Sequence, residues 1–177
     1  SDAVYPFQDS EVTESSCDGP MDLYGAMHRA RELMFRATAE CPLAIVRPTL
    51  VYGEGDPHNA YGVMRMLRSA SAQGEIVLFG NGEETRDHIL VDDVVALTIG
   101  ILERRSYGVV NAATGSSISY RDLADLVVGR IPHPVRIRLA PRAQPITHRR
   151  FGTLARTRAF PEIEMTPLRE GIARSQA

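Results

Sequence analysis

Apolar positions recur along the chain with two different periods, and glycine, proline or polar stretches mark most of the changes between them. The opening residues Ser1-Asp2-Ala3-Val4-Tyr5 read as the end of a strand, and residues 6–20, polar and holding Pro6, Gly19 and Pro20, as a loop. Leu23, Met27, Ala30, Met34 and Ala37 then follow at helical spacing and predict a helix over about 21–40, ended by Pro42. Leu43-Ala44-Ile45-Val46 is a short apolar run of the kind found in buried parallel strands. After a loop over 48–59, Val63, Met66, Leu67 and Ala70 predict a helix over about 60–73 that stops at Gly74. Ile76-Val77-Leu78-Phe79 reads as a strand, Gly80-Asn81-Gly82 as a tight turn, and His88-Ile89-Leu90-Val91 as another strand. Asp92 or Asp93 can cap a helix reaching about 104, and Val109-Val110-Asn111 returns to a sheet. Ser117 or Ser119 can cap a helix over about 120–130, residues 135–139 suit one more strand, and a last short helix falls near 167–175. Strands alternating with helices in this way predict an α/β fold with a mainly parallel sheet.

Composition narrows the function more than the fold. The 177 residues carry a net charge of -2, which argues against a nucleic-acid partner. All twenty cations are arginine, so a P-loop lysine, a Schiff-base lysine and a lysine general base are excluded together. Cys17 and Cys41 lack the spacing of a zinc site or a redox pair, and a reducing cytoplasm is the expected compartment. The longest apolar run, 94–102, is far below the ~20 residues that cross a bilayer, and no secretory signal is expected from the amino-terminal residues. His58, His88, His133 and His148 show no paired ligand spacing, so no metal site is expected. Met27, Met34, Met64 and Met66 are expected to fill core space.

Four motifs carry the chemistry. Tyr24-Gly25-Ala26-Met27-His28 places two polar side chains one helical turn apart, downstream of Ser1. Val46-Arg47-Pro48-Thr49-Leu50-Val51-Tyr52-Gly53-Glu54-Gly55 is a strand leaving into a glycine turn. Phe79-Gly80-Asn81-Gly82-Glu83-Glu84-Thr85-Arg86-Asp87-His88-Ile89-Leu90-Val91-Asp92-Asp93 is the longest run, and Gly108-Val109-Val110-Asn111-Ala112-Ala113-Thr114-Gly115 the last. Together these resemble the carboxyl-terminal part of an extended short-chain dehydrogenase/reductase of the NAD-dependent nucleotide-sugar epimerase/dehydratase type, over residues 1–171.

That resemblance implies the last part of a Rossmann-like parallel sheet over 1–54 and a small α/β substrate-binding domain over 55–177, with 107–131 returning to the Rossmann sheet. It implies Ser1, Tyr24 and His28 as the catalytic group, with Tyr24, His28 and Pro48 beside NAD or NADP. It makes Arg86 the diphosphate clamp, a task suited to the bidentate guanidinium, with Asp87 orienting it. Arg142 stands near the family's second phosphate-binding arginine, with Arg149 or Arg150 as substitutes. The chain departs from the family at His28, where a lysine is usual, and at Leu50, where an asparagine is common. A reference pKa near 6.5 leaves histidine mostly uncharged at neutral pH, able to hydrogen-bond a ribose but not to act as a standing cation. Asp2 occupies the acid position of a 4,6-dehydratase, but Ala3 replaces its glutamate partner, which favours epimerase or reductase chemistry over dehydration.

The sequence contains no Gly-x-x-Gly-x-x-Gly or Gly-x-Gly-x-x-Gly loop, the element that holds a dinucleotide pyrophosphate. The expected function is therefore that of an NAD(P)-dependent epimerase or reductase of a nucleotide sugar, similar to UDP-glucose 4-epimerase, present as a carboxyl-terminal fragment and inactive by itself. The alternatives are a non-catalytic nucleotide-sugar-binding or interaction module, or one half of a split enzyme. The expected partners are a nucleotide sugar and either a second copy or a complementing amino-terminal half, with neither nucleic acid nor membrane.

Overall fold

A computed structural model describes residues 1–56 and 62–175. His58 and the first two residues of the helix expected from 60 lie outside the described residues.

Asp2–Val4 form a single 3-10 turn in place of the expected strand end. The cause is local: the Ser1 hydroxyl accepts from the Ala3 amide at 3.3 Å, and the turn drives Val4 and Tyr5 inward onto Val12, Ala113 and Phe151. The loop that follows is tied down at Val12, which bridges to Phe151 and exchanges backbone hydrogen bonds with Arg150 and Gly152.

Helix α1 (Leu23–Thr38) begins where the Asp22 carboxylate accepts from the Gly25 amide at 2.7 Å. Its apolar stripe is not buried: Leu23, Met27 and Met34 are 77%, 56% and 69% exposed, and only Gly25 and Glu32 face inward. Met27 and Met34 are thus surface residues, contrary to their expected place in a core, because no described element packs over that face. Met64 and Met66 are buried as expected.

Strand β1 (Ala44–Pro48) pairs in parallel with β5 (Gly108–Ala112), from Ala44 opposite Gly108 to Pro48 opposite Ala112. Strand β2 (Leu50–Tyr52) pairs in parallel with β4 (Thr85–Leu90), whose other edge takes the antiparallel β6 (Ser117–Ser119). Strand β3 (Glu75–Phe79) pairs in parallel with β7 (Arg136–Ala140). Among the described residues the expected parallel sheet therefore takes the form of three short sheets. Helices α2 (Gly62–Gln73) and α4 (Tyr120–Val128) bury Val63, Leu67, Leu123 and Val127 against Ile76 and Leu78. Helix α3 (Val91–Glu103) buries Leu97 and Ile101 against Ile89, Val110 and Phe160. Helices α5 (Leu154–Ala159) and α6 (Leu168–Arg174) complete the chain.

The two proposed capping pairs resolve differently. Ser119 caps α4, its hydroxyl accepting from the Asp122 amide at 3.0 Å. Neither Asp92 nor Asp93 caps α3, which starts directly from β4 with Leu90 at the cap position. Asp93 instead turns inward and accepts from the amide and hydroxyl of Thr166, both at 2.8 Å, fixing the carboxyl-terminal segment to α3.

His88 is buried on β4, and neither ring nitrogen has a hydrogen-bond partner among the described residues. Desolvation pushes its pKa down to about 4. Between that value and the ordinary 6.5 the unfolded chain binds a proton that the folded chain refuses. Stability from this group is complete above pH 6.5 and is lost as pH falls toward 4, by about 3 kcal/mol in all. Urea melts at pH 7 and pH 4.5 are expected to show this loss, and His88→Phe to remove most of the pH dependence assigned to it.

Candidate functional site

One cavity of about 560 Å³ gathers residues from five parts of the chain. Ser1, Asp2 and Phe7 come from the opening turn and loop, Tyr24 and His28 from α1, Pro48 to Asp56 from β1, β2 and the turn beyond, and Arg86 and Arg149 from β4 and the late loop. Of the residues singled out from the sequence, Ser1, Tyr24, His28, Pro48, Arg86 and Arg149 are brought together here. Arg142 is not: its guanidinium binds Glu83 and Glu84 and the Phe79 carbonyl, at the glycine turn after β3. Arg150 is exposed, and only its neighbour Arg149 lines the cavity.

The approach of α1 to the opening turn depends on Gly25. A Cβ there would sit 2.2 Å from the Ala3 carbonyl oxygen, so any larger residue would push the helix off the turn and separate Tyr24 and His28 from Ser1 and Asp2. Tyr24 is exposed to the cavity and meets the His28 ring edge-on, centroids 4.5 Å apart. Desolvation pulls His28 below its ordinary pKa, and nearby positive charge adds to the shift, so it is uncharged at neutral pH.

Arg86 and Arg149 supply the positive charge. Arg149 is buried and held by Asp2, through the carboxylate at 3.0 Å and the carbonyl at 2.9 Å, and by the Tyr5 carbonyl at 2.9 Å. Arg86 donates to the carbonyls of Thr85 and Thr147 and to the Thr147 hydroxyl, at 2.7 to 2.9 Å. It has no carboxylate partner among the described residues, and burial together with the charge of Arg149 lowers its pKa. With Asp2 offset by Arg149, the net positive charge of this wall rests on Arg86. Asp87 does not orient that arginine as expected. It is buried and accepts from the Thr49 hydroxyl, from Thr114 through its amide and hydroxyl, and from the Gly115 amide, at 2.7 to 3.0 Å.

A second cavity, of about 620 Å³, lies between α2 and β3 and is lined by Arg65, Met66, Ile76, Phe79, Glu84 and Tyr120 among others. Sequence reasoning did not single out this cavity, whose wall joins Phe79 and Glu84 of the glycine-turn motif to residues of α2 and α4 that no spacing connects to it, nor Phe7 in the first cavity and Thr147 behind Arg86, which belong to no motif.

Residues 1–113 match the model of the NAD dependent epimerase/dehydratase family. The chain belongs to this family. Among curated family members, a dTDP-4-dehydro-6-deoxy-D-allose reductase of Streptomyces bikiniensis is 35% identical over 131 residues, covering 72% of this chain and 40% of that protein. A UDP-glucose 4-epimerase of Mycolicibacterium smegmatis is 30% identical over 165 residues, covering 88% of this chain and 52% of its own length. The solved structure of MoeE5 in complex with UDP-glucose and NAD superposes with a TM-score of 0.85 at 25% identity, over 99% of this chain and 61% of MoeE5. The chain thus spans about 40% to 60% of these family members. Among the described residues no helix is long and apolar enough to cross a membrane, and no cluster of metal-ligating side chains occurs.

Proposed function

We propose that the chain carries the substrate side of a nucleotide-sugar epimerase or reductase, with the 560 Å³ cavity receiving the diphosphate and sugar. The observation that carries this reading is Arg86, a partly buried guanidinium in the cavity wall with no carboxylate partner among the described residues, which an anionic ligand would complete. The neighbouring 620 Å³ cavity, with apolar Met66, Ile76 and Phe79 beside Arg65 and Tyr120, suits a nucleobase and ribose. In this reading Tyr24 takes the proton from a sugar hydroxyl, Ser1 hydrogen-bonds the same oxygen, and Arg86 anchors the diphosphate. Asp2, paired with Arg149, serves to hold that arginine instead of acting as a dehydration acid.

The cofactor fits these residues at one end. Tyr24, His28 and Pro48 line the cavity wall and would meet the nicotinamide and its ribose, whereas the sequence has no glycine-rich loop for the pyrophosphate. Bound NAD or NADP would supply the hydride acceptor. Residues 1–54 then represent the end of a cofactor domain and 55–177 the substrate domain, with 107–131 rejoining the first. We read the chain as the carboxyl-terminal part of such an enzyme, in agreement with its partial span of its relatives. A complementing amino-terminal half or a second copy would cover the α1 stripe of Leu23, Met27 and Met34.

Calorimetric titration with UDP and UDP-glucose tests the reading. Binding is expected, and Arg86→Ala is expected to weaken it roughly 10- to 100-fold, the value of a charge-assisted contact. Equal affinity of the two proteins would remove Arg86 from the site. His28 favours a second reading, binding without turnover, because a neutral imidazole lends Tyr24 no positive charge. Turnover in a chain reconstituted with a cofactor domain would exclude that alternative.

A further inference from the structure

An arginine that must recognise an anion is more effective when its guanidinium is fixed beforehand, because a free side chain gives up rotamer entropy on binding. Arg86 is fixed from two directions. Its end-on edge is taken by Thr147, whose carbonyl receives Nη1 at 2.7 Å and whose hydroxyl receives Nη2 at 2.8 Å. That leaves Nε and a second Nη2 hydrogen without a partner among the described residues. Its guanidinium carbon, Cζ, lies over the Phe7 ring, 5.1 Å from the centroid. The Arg149 guanidinium lies over the same ring at 4.4 Å, and Arg149 is buried and held by three hydrogen bonds to Asp2 and Tyr5.

Phe7 lines the cavity and is 42% exposed. Two guanidiniums brought this close repel one another, and the negative face of an aromatic ring between or beneath them offsets part of that repulsion. The geometry points to Phe7 as the residue that positions Arg86 for an anionic ligand, using the fixed Arg149 as its post. The ligand chemistry is a diphosphate, so the inference deepens the nucleotide-sugar reading and rests on it. Phe7 touches neither a reacting atom nor a proton in transit; it acts through Arg86 and is a positioning residue.

The test compares the wild-type chain with Phe7→Ala, Phe7→Tyr and Arg86→Ala by calorimetric titration with UDP and with inorganic pyrophosphate. In parallel, the Nε–H resonances of Arg86 and Arg149 are followed by 1H–15N NMR. The expected result is a loss of UDP affinity of roughly tenfold in Phe7→Ala and recovery to within about twofold in Phe7→Tyr. Ring-current shifts on both Nε–H resonances should be present in the wild type and in Phe7→Tyr and absent in Phe7→Ala. If Phe7→Ala binds UDP as the wild type does while Arg86→Ala loses it, Phe7 positions nothing and the nucleotide reading stands. If the wild type binds no UDP, the nucleotide reading falls, and pyrophosphate decides the inference. Weaker pyrophosphate binding in Phe7→Ala would then uphold it, and no pyrophosphate binding, or equal binding, would overturn it.

Discussion

Replacing Arg47 by alanine is expected to cost about 3–5 kcal/mol of folding stability, enough to lower the melting temperature by roughly 10 °C in a chain of this size. Arg47 is buried at the end of β1 and forms a bidentate pair with the buried Glu32 of α1, Nε to Oε1 at 2.9 Å and Nη2 to Oε2 at 2.6 Å. Asp18 from the loop meets the same guanidinium at 3.0 Å, and Arg29 links Asp18 to Glu32 at 2.8 and 3.3 Å. The guanidinium also lies 4.7 Å from the centroid of the Tyr5 ring, whose hydroxyl donates to Asn111 at 2.9 Å. Removing the arginine would leave a carboxylate buried without its main cation and free α1 from β1. Desolvation of Glu32 is outweighed by Arg47, which holds its pKa below the usual range. That part of the stability is present at neutral pH and is lost as pH falls through the lowered value. Urea melts of Arg47→Ala at neutral pH check the prediction, and a loss below 1 kcal/mol would mean that the network contributes little. The double change Arg47→Met with Glu32→Leu, which leaves no stranded charge, is expected to recover most of the loss.

The second large effect is expected at Asp87. This one side chain accepts four hydrogen bonds and thereby joins β4 to the start of β2 through Thr49 and to the turn after β5 through Thr114 and Gly115. Asp87→Ala strands four donors, the Thr49 hydroxyl in a buried place and the three from Thr114 and Gly115 in a half-buried one, at about 1–3 kcal/mol for each one that finds no water, so a loss of about 3–4 kcal/mol is expected. Asp87→Asn should lose less, about 1–3 kcal/mol, because its oxygen can serve one pair of donors while its amide group opposes the Gly115 amide. Since Arg86 is the preceding residue, nucleotide affinity at a temperature where both variants stay folded separates the two roles. Unchanged affinity in Asp87→Asn is the expected result, and a loss as large as that of Arg86→Ala would mean that Asp87 also acts in binding.

The same residues show where sequence reading worked. Gly-x-Gly followed by Arg-Asp and an apolar run marked the turn and the second half of β4, because a tight turn needs glycine and a buried strand favours consecutive apolar residues, while the polar start of β4 at Thr85 gave no such signal and Val91, read as strand, begins α3. The Arg-Asp pair itself was misread: alternate residues of a strand face opposite ways, so Arg86 enters the cavity while Asp87 turns inward to Thr49 and Thr114. The three-residue strands β2 and β6 are too short to show a period, and the six-residue α5 lies in a stretch where the sequence predicts no element. Asp93 had the composition of a cap and became a buried acceptor, since its partner Thr166 is far along the chain and no local pattern announces it.

By itself the sequence determined the alternation of helices and strands, the family, the lack of any lysine to support Tyr24, and the set of arginines from which an anion clamp could be drawn. These follow from local periodicity, from residue chemistry and from motifs with fixed spacing. Only the tertiary structure decided which arginines share a cavity, selecting Arg86 and Arg149 and committing Arg142 to Glu83 and Glu84. It alone placed Phe7 beneath two guanidiniums and left the α1 stripe uncovered. The physical reason is that charge pairing and side-chain burial depend on distances between segments far apart in the chain, which no spacing along it encodes.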